Sequence, residues 1–294
     1  MDLSPGKVRP GCISRTIIFL ALIALSAASA LAYPIKVKDA RGKTVSIKAK
    51  PVRIVSINPA TTEIAFALGL GKRVVGVTRM CNYPPEAKSR PNVGDVTTSV
   101  EAVAVLKPDL VLAHAFVNDA AIPRLERLGL TVFAVDPKTL GQVIRDIRAL
   151  GKITCRPKTA DSLARKMEKD IAAVKASRRG KPVKRVLVVI EASQLWVAGP
   201  KTFVDEMIQT ANAENVAYDA RPGFNTFSKE LAIQRNPDVI IVGVKEDADF
   251  MVKSPIWQTT NAVKNHHVCV IPGDLTVRPG PRLVEGLKAL AAKL

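Results

Sequence analysis

The chain has 294 residues, a formal net charge of +18, and is 47% hydrophobic and 24% charged. That balance excludes a disordered chain and gives enough length for two compact domains. The basic excess is scattered (Lys36, Lys38, Arg41, Lys43, Lys48 and Lys50 early, Arg178, Arg179, Lys181, Lys184 and Arg185 mid-chain) and no aromatic residues interleave with it. Solvated faces are therefore expected, not a nucleic-acid surface, which needs stacking rings among its cations.

The first 32 residues read as a signal peptide. Lys7, Arg9 and Arg15 precede the apolar run Ile17 to Leu25, and Ala30-Leu31-Ala32 has the small-x-small form of a cleavage site. The run is shorter than the ~20 apolar residues of a spanning helix. Cys12 lies before the run, not just after it as a lipid anchor requires. Export, with a mature chain from Tyr33 and a charge of about +16, is expected. Cys81, Cys155 and Cys269 then remain, an odd count without metal or redox spacing, and any disulfide among them is unassigned.

Residues 33–50 alternate apolar and basic around Arg41-Gly42, which predicts a small exposed hairpin. Arg53 to Ile57 predicts a strand, and Asn58-Pro59 the capped start of a helix that runs to Gly69. Strand Val74 to Val77 leads into the loop Thr78 to Pro85. A helix around Ile122 to Leu128 and a strand from Thr131 to Val135 follow. From Lys158 to Ser177, Leu163, Met167, Ile171 and Val174 fall at helical spacing among charges. Some twenty helical residues span ~30 Å, enough to bridge two domains. Strands are then expected at 185–190, 239–242 and 268–271, and a final helix from Pro281 to Leu294.

One stretch occurs twice. Ser99, Glu101, Pro108 and Asp109 recur as Ser228, Glu230, Pro237 and Asp238 at constant offset, each copy ending in four apolar residues. Each reads as a short serine-capped helix with a glutamate in its first turn, stopped by proline and feeding a buried strand. The fold class expected is α/β, two Rossmann-like lobes with parallel sheets joined by a single long helix. The lobes are placed at 33–152 and 182–294, with the interlobe helix at 153–181.

No catalytic motif is present: no G-x-S-x-G, no Walker sequence and no H-E-x-x-H. Gly69-Leu-Gly71 follows a helix and reads as its stop. Ligands of parallel α/β sheets bind beyond the carboxyl ends of the strands. Those ends give Asn58, then Met80, Cys81 and Tyr83, then His114 in the first lobe, and Trp196, Phe224, Asp274 and Arg278 in the second. Only 4% of residues are aromatic, yet Trp196 and Phe224 sit in loops flanked by Gly and Pro. Each has an ordinary alternative: core packing for the aromatics, Met80 and Cys81, a satisfied strand-end histidine for His114, and a surface ion pair for Asp274 with Arg278.

Asn58-Pro-Ala-Thr-Thr-Glu63, Tyr83-Pro84-Pro85, Leu106-Lys-Pro-Asp-Leu-Val111, the charged helix, Phe227-Ser-Lys-Glu230 and Gly280-Pro-Arg-Leu283 resemble, in that order, the periplasmic substrate-binding proteins of ABC importers. The resemblance covers roughly residues 52–292 and is strongest to the cobalamin-binding branch, related to the ferric-siderophore and haem binders. It implies a periplasmic protein without enzymatic activity or resident cofactor, acting as a monomer with a permease dimer and its ATPase subunits. It implies a corrinoid or other metal-chelate ligand in the interlobe cleft, contacted by Met80 or Tyr83, Trp196, Phe224, Asp274 and Arg278. Glu101 and Glu230 match the two surface glutamates that pair with permease arginines. The chain departs from that branch in having His114 where a tryptophan follows the third strand, no tryptophan within Val93–Ser99, and no second-lobe disulfide. His114 with Tyr83 would equally suit haem iron.

Overall fold

The computed structural model describes residues 1–2 and 33–294, so almost all of the expected signal peptide lies outside the described residues. Among the described residues no helix is long and apolar enough to cross a membrane. The chain opens with β1 (Ile35–Lys38) and β2 (Thr44–Ile47), an antiparallel hairpin. It is less exposed than its alternation suggested. Ile35, Val45 and Ile47 point inward and join the core of the first lobe.

The first lobe is built on β3 (Ile54–Ser56), β4 (Val74–Val77), β5 (Leu110–His114) and β6 (Val132–Val135), all parallel, in the order β4-β3-β5-β6. Every residue of β6 and all but His114 of β5 are buried, as a sheet covered on both faces requires. A helix that the sequence reading did not anticipate, Leu140–Ile153, follows β6. The long helix Pro157–Arg178, 22 residues, lies within the expected interlobe stretch and packs along it. Their approach is close: a β-carbon on Gly151 would lie 2.2 Å from that of Ala160.

The second sheet is mixed, not parallel throughout as expected. β7 (Lys184–Glu191) turns through Ala192–Leu195 into antiparallel β8 (Trp196–Ala198), which pairs with antiparallel β10 (Phe224–Thr226). β9 (Ala213–Asn215) runs parallel to the start of β7, and β11 (Val239–Val242) and β12 (Val268–Val270) continue the parallel half. The final helix, Leu283–Ala291, packs on the long helix and on Phe203–Thr210, and one apolar cluster runs from Ile54 through Met167 to Leu287.

The duplicated stretch forms equivalent structures. Ser99 and Ser228 cap the helices Val100–Val105 and Lys229–Gln234, accepting from the amides of Ala102 and Leu231 at 3.1 Å each. Before each proline the chain turns through a left-handed residue, Lys107 and Asn236. The repeated aspartates then clamp the neighbouring strand. Asp109 accepts from the amides of Val52 and Arg53, and Asp238 from that of Arg185. The arginines in turn donate to the last helical carbonyls, Arg53 to Leu106 and Arg185 to Arg235. Asp238, gripped by Arg185, is held far below the usual carboxylate range. The repeat is thus a device that fixes helix end to strand start in both lobes.

Candidate functional site

In a β/α lobe, loops leaving the carboxyl ends of the strands gather on one edge, and a ligand there meets backbone already fixed by the sheet. Here those loops from both lobes enclose a cleft of about 590 Å³. Asn58 arrives from β3, His114, Phe116 and Val117 from β5, and Asp136 to Lys138 from β6. Ile190 comes from the end of β7, Lys201 to Phe203 from beyond β8, Phe224 from β10, and Val277 to Pro279 from beyond β12. A second cavity of about 750 Å³ lies among Phe66, Tyr83, Met167 and Arg282. It is larger, but no sheet edge opens into it, so the cleft is the better candidate.

Of the residues selected from sequence, Asn58, His114, Phe224 and Arg278 line this cleft together. The other five lie elsewhere. Cys81 is buried in the first-lobe core beside the Thr78 hydroxyl at 3.2 Å, so packing, not ligand contact, accounts for it. Tyr83 lines the second cavity, its ring covered by the Arg282 guanidinium at 3.7 Å. Trp196 stands at the exposed start of β8, opposite Glu191 and Thr226, outside the cleft lining. Met80 is exposed and Asp274 half-buried, and both touch Arg278 instead of the cavity: Asp274 at 2.7 Å, and the Met80 carbonyl at 3.5 Å.

The cleft also uses residues that the sequence reading passed over. Phe116, two residues beyond β5, projects its ring with 76% exposure. From the second lobe Phe224 lines the same cleft and packs at 5.9 Å and a 60° tilt on Phe203, which begins a helix capped by Thr202. The aromatic side of the first lobe is therefore Phe116, not the absent tryptophan. A ring left that exposed gains on the order of 1.5–3 kcal/mol when a ligand covers it.

His114 is oriented through Nδ1. Its Nδ1 accepts from the amides of Phe116 and Val117 at 3.3 and 3.4 Å, which leaves the proton on Nε2, 3.5 Å from Asp136. Burial lowers its pKa, with Asp136 opposing and Lys138 reinforcing, so the imidazole is neutral near pH 7. Asp136 is itself paired with Lys138 at 2.6 Å. Asn58 spends its side-chain oxygen on the Ala60 amide at the helix start. Arg278 donates to Asn82 at 2.6 Å and Asp274 at 2.7 Å. The polar groups of the lining, apart from Lys201, are thus internally paired, beside apolar surface from Ile190, Phe203, Phe224 and Val277.

Asp146 of helix Leu140–Ile153 is pushed up to about 7, chiefly by burial, with Arg145 opposing and Asp136 adding to the shift. Its folded pKa exceeds the unfolded value, so its neutral form is stabilising at low pH. That contribution is lost as pH rises from about 4 to about 7. Asp146→Asn is expected to raise stability at pH 8 by on the order of 2 kcal/mol, a figure already reduced for residual solvent screening. Urea unfolding at pH 8 and pH 4 checks this: the gain should vanish at pH 4.

The two repeated glutamates lie on the surface at the same edge, since helices that precede parallel strands begin at the strands' carboxyl end. Glu101 accepts from Ser99 at 3.3 Å and from Arg124 at 3.2 Å, and Glu230 from Ser228 at 2.8 Å. Their own first-turn amides hold both below the usual carboxylate range.

A sequence profile described as periplasmic binding protein matches residues 54–275, well over half of the chain. An ABC transporter substrate-binding lipoprotein of Bacillus subtilis is 39% identical over 273 residues, spanning 89% of this chain and 86% of that one. A vitamin B12-binding protein of Salmonella typhimurium is 31% identical, spanning 82% and 90%. The structure of a periplasmic heme-binding protein from Roseiflexus superposes with a TM-score of 0.74 at 31% identity, covering 82% and 97%. The two-lobed α/β architecture, the cleft at the strand ends and these likenesses agree: the chain belongs to the periplasmic binding protein family.

Proposed function

We propose that this is an exported solute-binding protein that holds a corrinoid in the interlobe cleft and delivers it to an ABC transporter permease. It works as a monomer, with residues 33–152 and 182–294 as its lobes and no chemical step of its own. The observation that carries the reading is that rings from both lobes line one cleft, Phe116 from the first and Phe224 backed by Phe203 from the second. A large ring system between them buries apolar surface on both faces, while a few polar groups orient it. Of the ionic groups in the lining, Asp136 is paired with Lys138 and Arg278 with Asp274, while Lys201 makes no ion pair among the described residues. An uncharged, amide-rimmed ring disrupts none of these pairs, and Lys201 can donate to one of its amide carbonyls. Asn58, His114 and Arg278 remain the polar contacts of this reading. Trp196, Met80 and Asp274 act at its rim or through Arg278. Glu101 and Glu230 form the permease-docking pair, one per lobe.

Haem is the principal alternative, since heme-binding proteins are among the solved structures this chain resembles. Iron requires an axial donor: His114 Nδ1 already accepts from two backbone amides and Tyr83 lines another cavity, so Nε2, 3.5 Å from Asp136, is the one nitrogen of His114 left for a metal. Parallel absorbance titrations with cyanocobalamin and haemin test the choice. Saturable binding of cyanocobalamin, without a Soret shift that His114→Ala removes, is the expected outcome. A histidine-dependent Soret shift would replace corrinoid by haem.

A further inference from the structure

Behind the cleft, four charged side chains form a neutral square across the two lobes. Glu63, from the first-lobe helix Pro59–Ala67, is buried, its side chain 2% exposed. Arg282 grips it with two prongs, Nε to Oε2 at 3.0 Å and Nη2 to Oε1 at 2.5 Å. Arg278 stands 3.6 Å from the same carboxylate and pairs with Asp274 at 2.7 Å, and Asp274 also lies 4.0 Å from Arg282. The first lobe adds two further contacts. The Tyr83 ring lies under the Arg282 guanidinium, and Asn82 accepts from Arg278. Glu63 therefore meets both arginines of the opposite lobe at the point where Arg278 enters the cleft wall.

We propose that Glu63 is a positioning residue, the anchor of an interlobe latch that sets the cleft width and the direction of Arg278. Two-pronged arginine–carboxylate pairs fix orientation as well as distance. A buried carboxylate between two guanidinium groups tolerates little displacement, since moving apart strands an unpaired charge. The long helix leaves the lobes one covalent axis, and the latch stops rotation about it on the cleft side. The ligand-affinity consequence rests on the corrinoid reading, whereas the latch itself does not.

Hydrogen–deuterium exchange of the full chain, read by mass spectrometry, tests this on wild type, Glu63→Gln and Arg282→Lys, alongside calorimetry with cyanocobalamin. In Glu63→Gln, amides of 79–83 and 275–283 should exchange at least tenfold faster while β5 and β11 are unchanged, and affinity should fall about tenfold. Arg282→Lys keeps the charge but loses the fork, so it should show a smaller change in the same two segments. Unchanged exchange in both segments in Glu63→Gln would overturn the latch. If Glu63→Gln loosens the whole protein, Arg282→Lys decides: a local change supports the latch, no change refutes it. If wild type fails to bind cyanocobalamin, the corrinoid reading falls and the exchange data still judge the latch.

Discussion

Reversing both surface charges, Glu101→Arg with Glu230→Arg, is expected to abolish ligand uptake by cells while leaving ligand affinity within twofold of wild type. Both glutamates sit in helix first turns at the cleft edge, one on each lobe, at matching positions of the duplicated stretch. Neither contacts the cleft lining. A partner that presents a cation to each would dock with the cleft facing it, and the single reversals should each lose less than the pair. Exposed ion pairs contribute little individually and are screened by salt. Uptake should therefore weaken as ionic strength rises, and binding of the free ligand should not. Uptake assays in a strain carrying only the double variant, with calorimetry on the purified protein, check both halves. Normal uptake by the double variant would remove the docking role.

The second large effect concerns the aromatic walls. Phe116→Ala and Phe224→Ala should each lower corrinoid affinity about 10- to 100-fold, corresponding to roughly 1.5–3 kcal/mol of lost ring burial. Phe116 is highly exposed in the free protein and has little packing to lose, so its substitution should barely move the unfolding midpoint. Phe224 also packs on Phe203, so its substitution should cost some stability as well. Trp196→Ala, at a residue outside the lining, should change affinity less than either. Thermal unfolding run beside the binding measurements separates the two contributions.

What the sequence made legible was local. Serine caps, glutamates in first turns, prolines as stops and runs of Val, Ile and Leu specify their structures within a few residues. For that reason the repeat, the first-lobe sheet and the long helix were readable. The mixed half of the second sheet was not, because β8, β9 and β10 are three residues each and take their direction from pairing, not from pattern. The same limit explains the site. Asn58, His114, Phe224 and Arg278 follow from strand ends. Tyr83, at an equally good strand end, is turned away by Arg282, a partner near the far end of the chain. Phe116 carried a signal in retrospect: an apolar aromatic two residues past a buried strand, in a chain with few aromatics. Glu63 stood in one of the stretches that carry the family resemblance, but nothing in the sequence paired it with Arg278 and Arg282, which only the folded arrangement brings to it.

The latch and the aromatic walls share one physical idea. In the proposed account the lobes are held at a fixed spacing by buried charge, and a corrinoid fills that spacing with apolar ring surface. Isothermal titration calorimetry of the mature protein with cyanocobalamin tests this most directly. A one-to-one isotherm with a dissociation constant in the micromolar range or tighter is expected. No heat at micromolar concentrations, with protein shown to be folded, would contradict it.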